Sequence, residues 1–379
     1  MTATRARQVI RDARSFVERY TEGVQVDHLR HLFDREASTV YEVLSRDIEG
    51  AEPEGRNQRF FHRLKVVFLG LSYKLSPPRR ILFAACLAIA VFGLLDVNQL
   101  QLGVGTRDIA IDFSPLFFLS SICGLVYLLA MELVDRVRFR DELEVARQLQ
   151  RDLLPDAAPA VHGFSFAHSY RTANTIGGDY FDFLPTGDGR LAVLVGDASG
   201  HGIAAGLLMA IANASLRTAL DLDPQPEAVL SFLNRVLCRT GDRRAFMTLF
   251  YCLLDPTTER VDYACAGHPF PLLRTATGEV REVDTEGSLP LGMRTDTAVR
   301  TGSFTFAPGD TLALFTDGLP EAVGTDNAAF GFPRLQSLLA APGTPQSLHD
   351  RILAAFDHRQ SDRPLADDLT LLLLARDQG

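Results

Sequence analysis

Four short stretches of this chain set aspartates where strand-like sequence starts or stops. They are Gly177-Gly-Asp-Tyr-Phe-Asp182, Leu191-Ala-Val-Leu-Val-Gly-Asp197, Leu314-Phe-Thr-Asp-Gly318 and Asp367-Asp-Leu-Thr-Leu-Leu372. A carboxylate at the end of a buried strand is costly unless it is paired or holds a cation. No Cys or His cluster accompanies these residues, which favours a hard cation, Mg²⁺ or Mn²⁺, over zinc or copper. Mg²⁺ keeps several waters and takes few protein carboxylates, which suits a sparse set of aspartates. Two such ions sharing a bridging carboxylate would lower the pKa of a bound water and clamp a phosphoryl oxygen. Asp197 is the natural bridge, because Ala198-Ser-Gly-His-Gly202 after it lets metal and substrate approach the backbone closely.

Each stretch also has a plainer reading. Asp179 and Asp182 suit the cap of a turn, and Asp317-Gly318 is an ordinary turn dipeptide. Asp367 and Asp368 would serve as solvated charges guarding the apolar strand Leu369–Leu374. The spacing Gly196-x-x-x-Gly200-x-Gly202 has neither the G-x-G-x-x-G order nor a G-K-[ST] ending, so it is no known phosphate cradle. Only the convergence of all four stretches in one fold would make a site.

The elements able to bring them together lie after Phe164. The pattern predicts strands at 178–184, 191–196, 245–255, 260–266, 271–275, 300–306, 310–315 and 368–374, with helices at 203–216, 226–240, 333–340 and 345–358. Short turns between consecutive strands indicate largely antiparallel sheets, not a βαβ winding. The fold class is α/β in an α+β layered arrangement.

The N-terminal third is of another kind. Ile81–Leu95 and Phe113–Met131 carry no charge, and the second is long enough for a membrane span. Lys74, Arg79 and Arg80 precede the first and Arg136, Arg138 and Arg140 follow the second, whereas Asp96–Asp112 between them has Arg107 as its only basic residue. That asymmetry predicts a transmembrane helical hairpin with both flanks in the cytoplasm, and thus a multi-pass protein of the inner or cytoplasmic membrane. Two buried core helices are the competing reading. Phe139–Leu154 reads as an amphipathic helix, either packed on the next domain or pairing two chains as a coiled-coil linker. The expected organisation is a cytoplasmic amphipathic region (1–75), a membrane hairpin (76–138), a linker helix (139–158) and a catalytic-sized domain (159–379).

With a net charge of −9 over 379 residues, the chain does not have the basic character of a general nucleic-acid binder. Its five cysteines form no C-x-x-C pair and read as small buried apolar residues in a reducing compartment.

Six motifs in order carry a family resemblance: Gly177-Gly-Asp-Tyr-Phe-Asp182, Gly196-Asp-Ala-Ser-Gly-His-Gly202, Ala266-Gly-His-Pro-Phe-Pro-Leu272, Leu289-Pro-Leu-Gly292, Phe315-Thr-Asp-Gly-Leu-Pro-Glu321 and Asp367-Asp-Leu-Thr-Leu371. From about residue 140 onward the chain resembles the metal-dependent type 2C protein serine/threonine phosphatases, in their bacterial SpoIIE/RsbU-like branch. The resemblance implies two central antiparallel sheets flanked by helices and a site for two Mn²⁺ or Mg²⁺ ions. It implies that Asp197 bridges the ions, that Ala198 offers its carbonyl, that Asp317 and Asp367 complete one ion and Asp179 the other. Asp368 and Asp182 fit less directly, and Asp368 is placed as a supporting residue. A metal-bound hydroxide would attack phosphoserine in line. His201 would then protonate the leaving serine oxygen, or stand as a structural or solvated side chain. His268 reads as a turn and packing residue, and Arg171 as a phosphate contact or a surface ion pair. The implied substrate is a phosphorylated anti-sigma-factor antagonist, and the linker helix would join two copies as a homodimer. A silent docking scaffold and a small-molecule phosphatase are the alternatives.

Overall fold

The structure, a computed structural model, describes residue 44 and residues 55–95, 99–104, 107–200, 202–240, 245–284, 286–325, 327–361 and 363–377. The chain divides into two compact units, residues 1–137 and 138–379.

In the first unit, helix α1 (Arg56–Lys74) is followed by α2 (Pro77–Gly93). Pro77 opens α2, a position where its missing N–H costs nothing. Strands β1 (Gln99–Val104) and β2 (Arg107–Asp112) then pair as a hairpin, in a segment where the sequence suggested only a connection. Helix α3 begins at Ser114 and runs unbroken to Leu153. The apolar segment from Phe113 and the charged helix from Phe139, read separately in the sequence, thus belong to one continuous helix. Polarity changes near residue 132, but no proline or glycine lies between Ala130 and Leu153 to interrupt the hydrogen bonding.

Helices α2 and α3 pack antiparallel. Phe92 meets Phe117 edge-on at 5.1 Å, Ser121 Oγ donates to the Cys86 carbonyl at 2.8 Å, and Arg79 pairs with Asp135 at 2.6 Å. Their outer surface is apolar and exposed at Ile81, Val91, Leu116, Leu119, Ile122, Val126 and Leu129. Two described helices are long and apolar enough to cross a membrane, Ser114–Leu153 and Ile203–Leu222. The second packs into the core of the other unit, so length and composition alone do not distinguish the two.

The second unit is a four-layer sandwich. One sheet has the order β10-β7-β6-β5-β4 and the other β3-β12-β11-β8-β9, with every pairing antiparallel. In chain order the strands are β3 (Phe164–Arg171), β4 (Asp179–Pro185), β5 (Leu191–Ala198), β6 (Met247–Leu254), β7 (Arg260–Ala266), β8 (Leu272–Arg274), β9 (Val280–Glu282), β10 (Thr301–Thr305), β11 (Thr311–Phe315) and β12 (Leu369–Arg376). Alternate residues of β5 explain the layering. Val193 and Val195 face the inter-sheet core with Phe250, Leu314 and Leu372. Leu194 and Ala198 face the other way, onto helices α4 (Ile203–Leu222) and α5 (Pro226–Thr240). Covered on both sides, such strands read as continuous apolar runs. The second sheet is covered by α6 (Phe332–Ala340) and α7 (Pro345–Gln360), through Leu335, Ile352 and Phe356.

All five cysteines are free, and Cys86, Cys252 and Cys265 are buried as small apolar residues. Cys123 instead is exposed, on the apolar stretch of α3, and Cys238 is half-buried.

Candidate metal centre

Strand pairing brings the acidic stretches together two by two. Asp179 opens β4 and lies directly opposite Asp197 on β5. Like charges facing each other across an antiparallel pair are destabilising, so this position conflicts with stability alone. In the other sheet, Phe315 of β11 is paired with Leu371 of β12, so Asp317 and Asp367-Asp368 sit just past neighbouring strand ends. Gly318 passes so close to the Asp368 carbonyl that no side chain would fit between them.

The two sheets then meet at this end. Asp179 is 1% exposed and faces the inter-sheet space, where its Oδ2 accepts from Thr316 Oγ at 2.8 Å and Thr370 Oγ at 2.6 Å. Burial first, and the Asp197 charge second, push the Asp179 carboxyl well above the usual range, while the two hydroxyls pull the other way. The half-buried Asp197 is pushed up to about 7, by burial and then by the charges of Asp317, Asp367 and Asp368. Asp317 is raised by burial and by Asp367 and Glu321. The stretches singled out in the sequence therefore sense one another electrostatically. Among the described residues, no three His, Cys, Asp or Glu side chains close into a finished ligand set.

The remaining candidates have separate duties. Asp368 accepts the Ala173 N–H at 2.7 Å and the Gly178 N–H at 2.5 Å, which holds the loop before β4. Asp182 lies three residues from Asp179, so alternation turns it to the opposite face of the sheet. There it accepts from Tyr180 Oη at 3.1 Å and pairs with Arg217 of α4 at 3.0 Å. His268 is buried beside Thr248 at 2.9 Å, and burial lowers its pKa to about 3. Arg171 makes an ion pair with Asp357. His201 lies outside the described residues. Thr316 and Thr370 were given no role in the sequence; they stood within quoted motifs, but nothing local shows that they converge on Asp179.

The donor set fits a hard divalent cation, since it offers oxygen alone. The backbone fits as well. At Gly178 a Cβ would lie 2.7 Å from the Ala198 carbonyl oxygen and 2.9 Å from Asp197 Oδ1, so only glycine leaves those two oxygens room at one point.

A two-sheet sandwich clad in helices, with carboxylates gathered at one end of the strands, is the architecture of the type 2C phosphatase fold. The SiaA-PP2C domain of Pseudomonas aeruginosa has that fold, superposing with a TM-score of 0.57 at 24% identity over 64% of this chain and 99% of that one. Residues 187–377 match the family model of stage II sporulation protein E (SpoIIE), and the chain belongs to that family. It is 27% identical over 244 residues to the phosphoserine phosphatase RsbU of Bacillus subtilis, covering 62% of this chain and 70% of RsbU. It is also 27% identical over 270 residues to protein IcfG of Synechocystis, covering 64% of this chain but only 42% of IcfG. The chain thus spans less than half the length of that relative.

Proposed function

We propose that this protein is a membrane-tethered phosphoserine phosphatase acting on a phosphorylated anti-sigma-factor antagonist. The observation that carries the reading is the convergence of aspartates from four separated stretches at one end of the sandwich. Asp179, Asp197, Asp317 and Asp367, with the Ala198 carbonyl, would hold two Mn²⁺ or Mg²⁺ ions. Bound there, the ions would activate water toward phosphorus and neutralise phosphoryl oxygens. The protein's own part is to keep the oxygen donors in place. Thr316 and Thr370 fix the Asp179 carboxyl, and Asp368 ties the Gly178 backbone to β12. His201 is assigned the proton for the departing serine oxygen. Similarity to RsbU, a phosphoserine phosphatase, supports a phosphoprotein as substrate.

The membrane part rests on the apolar outer surface of the α2–α3 hairpin and on the basic residues flanking it. Pairing of two chains rests on Phe139, Val145 and Leu149 of α3, which stay exposed while Gln150 turns inward.

The test is phosphate release from a phosphoserine protein of the anti-sigma-antagonist type, with Mn²⁺ and with chelator, for wild type and Asp197→Asn. Release is expected only with both Mn²⁺ and Asp197 present. Equal turnover by the Asn variant would remove Asp197 from the reaction and with it this metal-centre reading, whereas no release by wild type with Mn²⁺ would remove the phosphatase assignment. Stable binding of the phosphoprotein without release, in full-length protein in membranes, would favour a docking scaffold.

A further inference from the structure

A cavity of about 160 Å³ adjoins the metal centre, the room of one long side chain rather than of a folded segment. The loop after β11 supplies Glu321 and Ala322 to its wall, and the end of α7 with the loop before β12 supplies Gln360, Leu365, Ala366 and Asp367. Asp367 is one of the carboxylates assigned to the ions. Whatever fills the cavity therefore stands beside the phosphoryl group of a bound substrate.

Two polar side chains line this space. Gln360 is 7% exposed, and among the described residues its side-chain amide makes no hydrogen bond. A buried amide is normally bonded, so this one is kept for a partner that the folded chain does not supply. Glu321 is exposed, its N–H donates to the Asp317 carbonyl at 2.9 Å, and its charge helps to raise the Asp317 carboxyl. No described arginine, lysine or histidine pairs with the Glu321 carboxylate. A further negative charge beside a centre that receives a phosphate works against binding, unless it answers a cation that arrives with the substrate.

Ala322, Leu365 and Ala366 decide which cation that is. A hydrated metal ion takes oxygen on every side, and these three side chains offer none. They suit an aliphatic stem, which lysine and arginine carry beneath the charged head. We propose that the cavity is a specificity subsite, taking a lysine or arginine side chain of the phosphoprotein near its phosphoserine, with Glu321 and the Gln360 amide oxygen accepting from the cationic head. The inference rests on the phosphatase reading above and adds a substrate preference to it.

The experiment measures peptide binding to the full-length protein in detergent micelles with Mn²⁺, by fluorescence anisotropy. Each peptide carries a non-hydrolysable phosphonate in place of phosphoserine. Its alanine background holds lysine, or the uncharged isostere norleucine, at one of the three positions on either side. Wild type is compared with Glu321→Gln, Glu321→Lys and Gln360→Leu. In wild type, lysine in at least one position is expected to tighten binding about 5- to 10-fold over norleucine, and less at high salt. That ratio should fall to about 2 or below in Glu321→Gln and Gln360→Leu, and Glu321→Lys should prefer norleucine. A wild type with no lysine preference at any position overturns the proposal, as does a preference that survives in Glu321→Gln and Glu321→Lys. Loss of a bound Mn²⁺ in Glu321→Gln with the preference intact overturns it in favour of a further metal ion. If Gln360→Leu does not fold, the two variants of the exposed Glu321 decide. Hydrolysis of p-nitrophenyl phosphate without a lysine preference removes the proposal alone, whereas neither hydrolysis nor peptide binding with Mn²⁺ removes the phosphatase reading and the proposal together.

Discussion

Replacing Asp197 by Asn should stabilise the metal-free domain while destroying its function. In the folded chain the Asp197 carboxyl titrates near 7, against an ordinary 3.8. Between those values the folded state holds a proton that the unfolded state has lost, so stability falls as pH rises through that window. The full difference corresponds to about 4 kcal/mol at pH 8, and partial exposure brings the expected effect to about 2 kcal/mol. Asn keeps the shape and removes the charge, so the metal-free variant should melt about 4–8 °C higher than wild type at pH 8. At pH 4 the gap should nearly close. The assay is thermal unfolding of residues 139–379 in chelator across pH 4–8, then repeated with Mn²⁺. A ligand at a hundred times its dissociation constant adds about 2.7 kcal/mol, which wild type should gain and the variant should lack. The order of stability would then reverse. An Asn variant less stable than wild type in chelator at pH 8 would refute the reasoning, because Asp197 would then be an ordinary satisfied structural residue.

Three further predictions follow from other parts of the molecule. His268, at about 3 when folded and 6.5 when free, binds its proton only on unfolding, so stability should fall as pH drops below 6.5, by about 2 kcal/mol at pH 5; His268→Gln should flatten that limb of a pH–melting curve. Asp182→Asn should leave Mn²⁺ affinity unchanged in a calorimetric titration, whereas Arg217→Leu should cost about 1–2 kcal/mol in urea unfolding at pH 7, since Arg217 is half exposed but Asp182 is not. In a cysteine-free background, Gln101→Cys should react with an impermeant maleimide applied outside intact cells and Arg138→Cys should not; equal labelling of the two would exclude the hairpin topology.

Much of the sandwich was legible because its strands are covered on both faces. Runs such as Leu191–Gly196 and Leu369–Leu374 leave little choice but a buried strand. Strand β3 was not named because its pattern is mixed: only Phe164 and Ala167 are fully buried, and His168, Ser169 and Tyr170 look like loop residues. The three-residue β9 offers too little sequence to show any period. In α3 the composition changes from apolar to charged without any change of element, because composition reports the surroundings of a helix and not its continuity. The burial of Gln150 was hidden for a related reason, since one amide among arginines and glutamates looks like another solvated position.

The case of Asp182 shows how far alternation alone can go. Asp179 and Asp182 stand in one motif and one strand, and the sequence left both as metal-ligand candidates. Their separation is odd, and in a strand an odd separation sends two side chains to opposite faces. If Asp179 points between the sheets, as its bonds to Thr316 and Thr370 require, Asp182 must point toward α4. The same parity places Asp197 with Val193 and Val195, on the inter-sheet side shared with Asp179. Two carboxylates on one face of neighbouring strands, in direct register, form a repulsive pair that packing alone does not account for. Asp182 in contrast has its arginine and its tyrosine, and its charge is answered locally. The unanswered charge is therefore on the inter-sheet face, and that face is where a cation would bind.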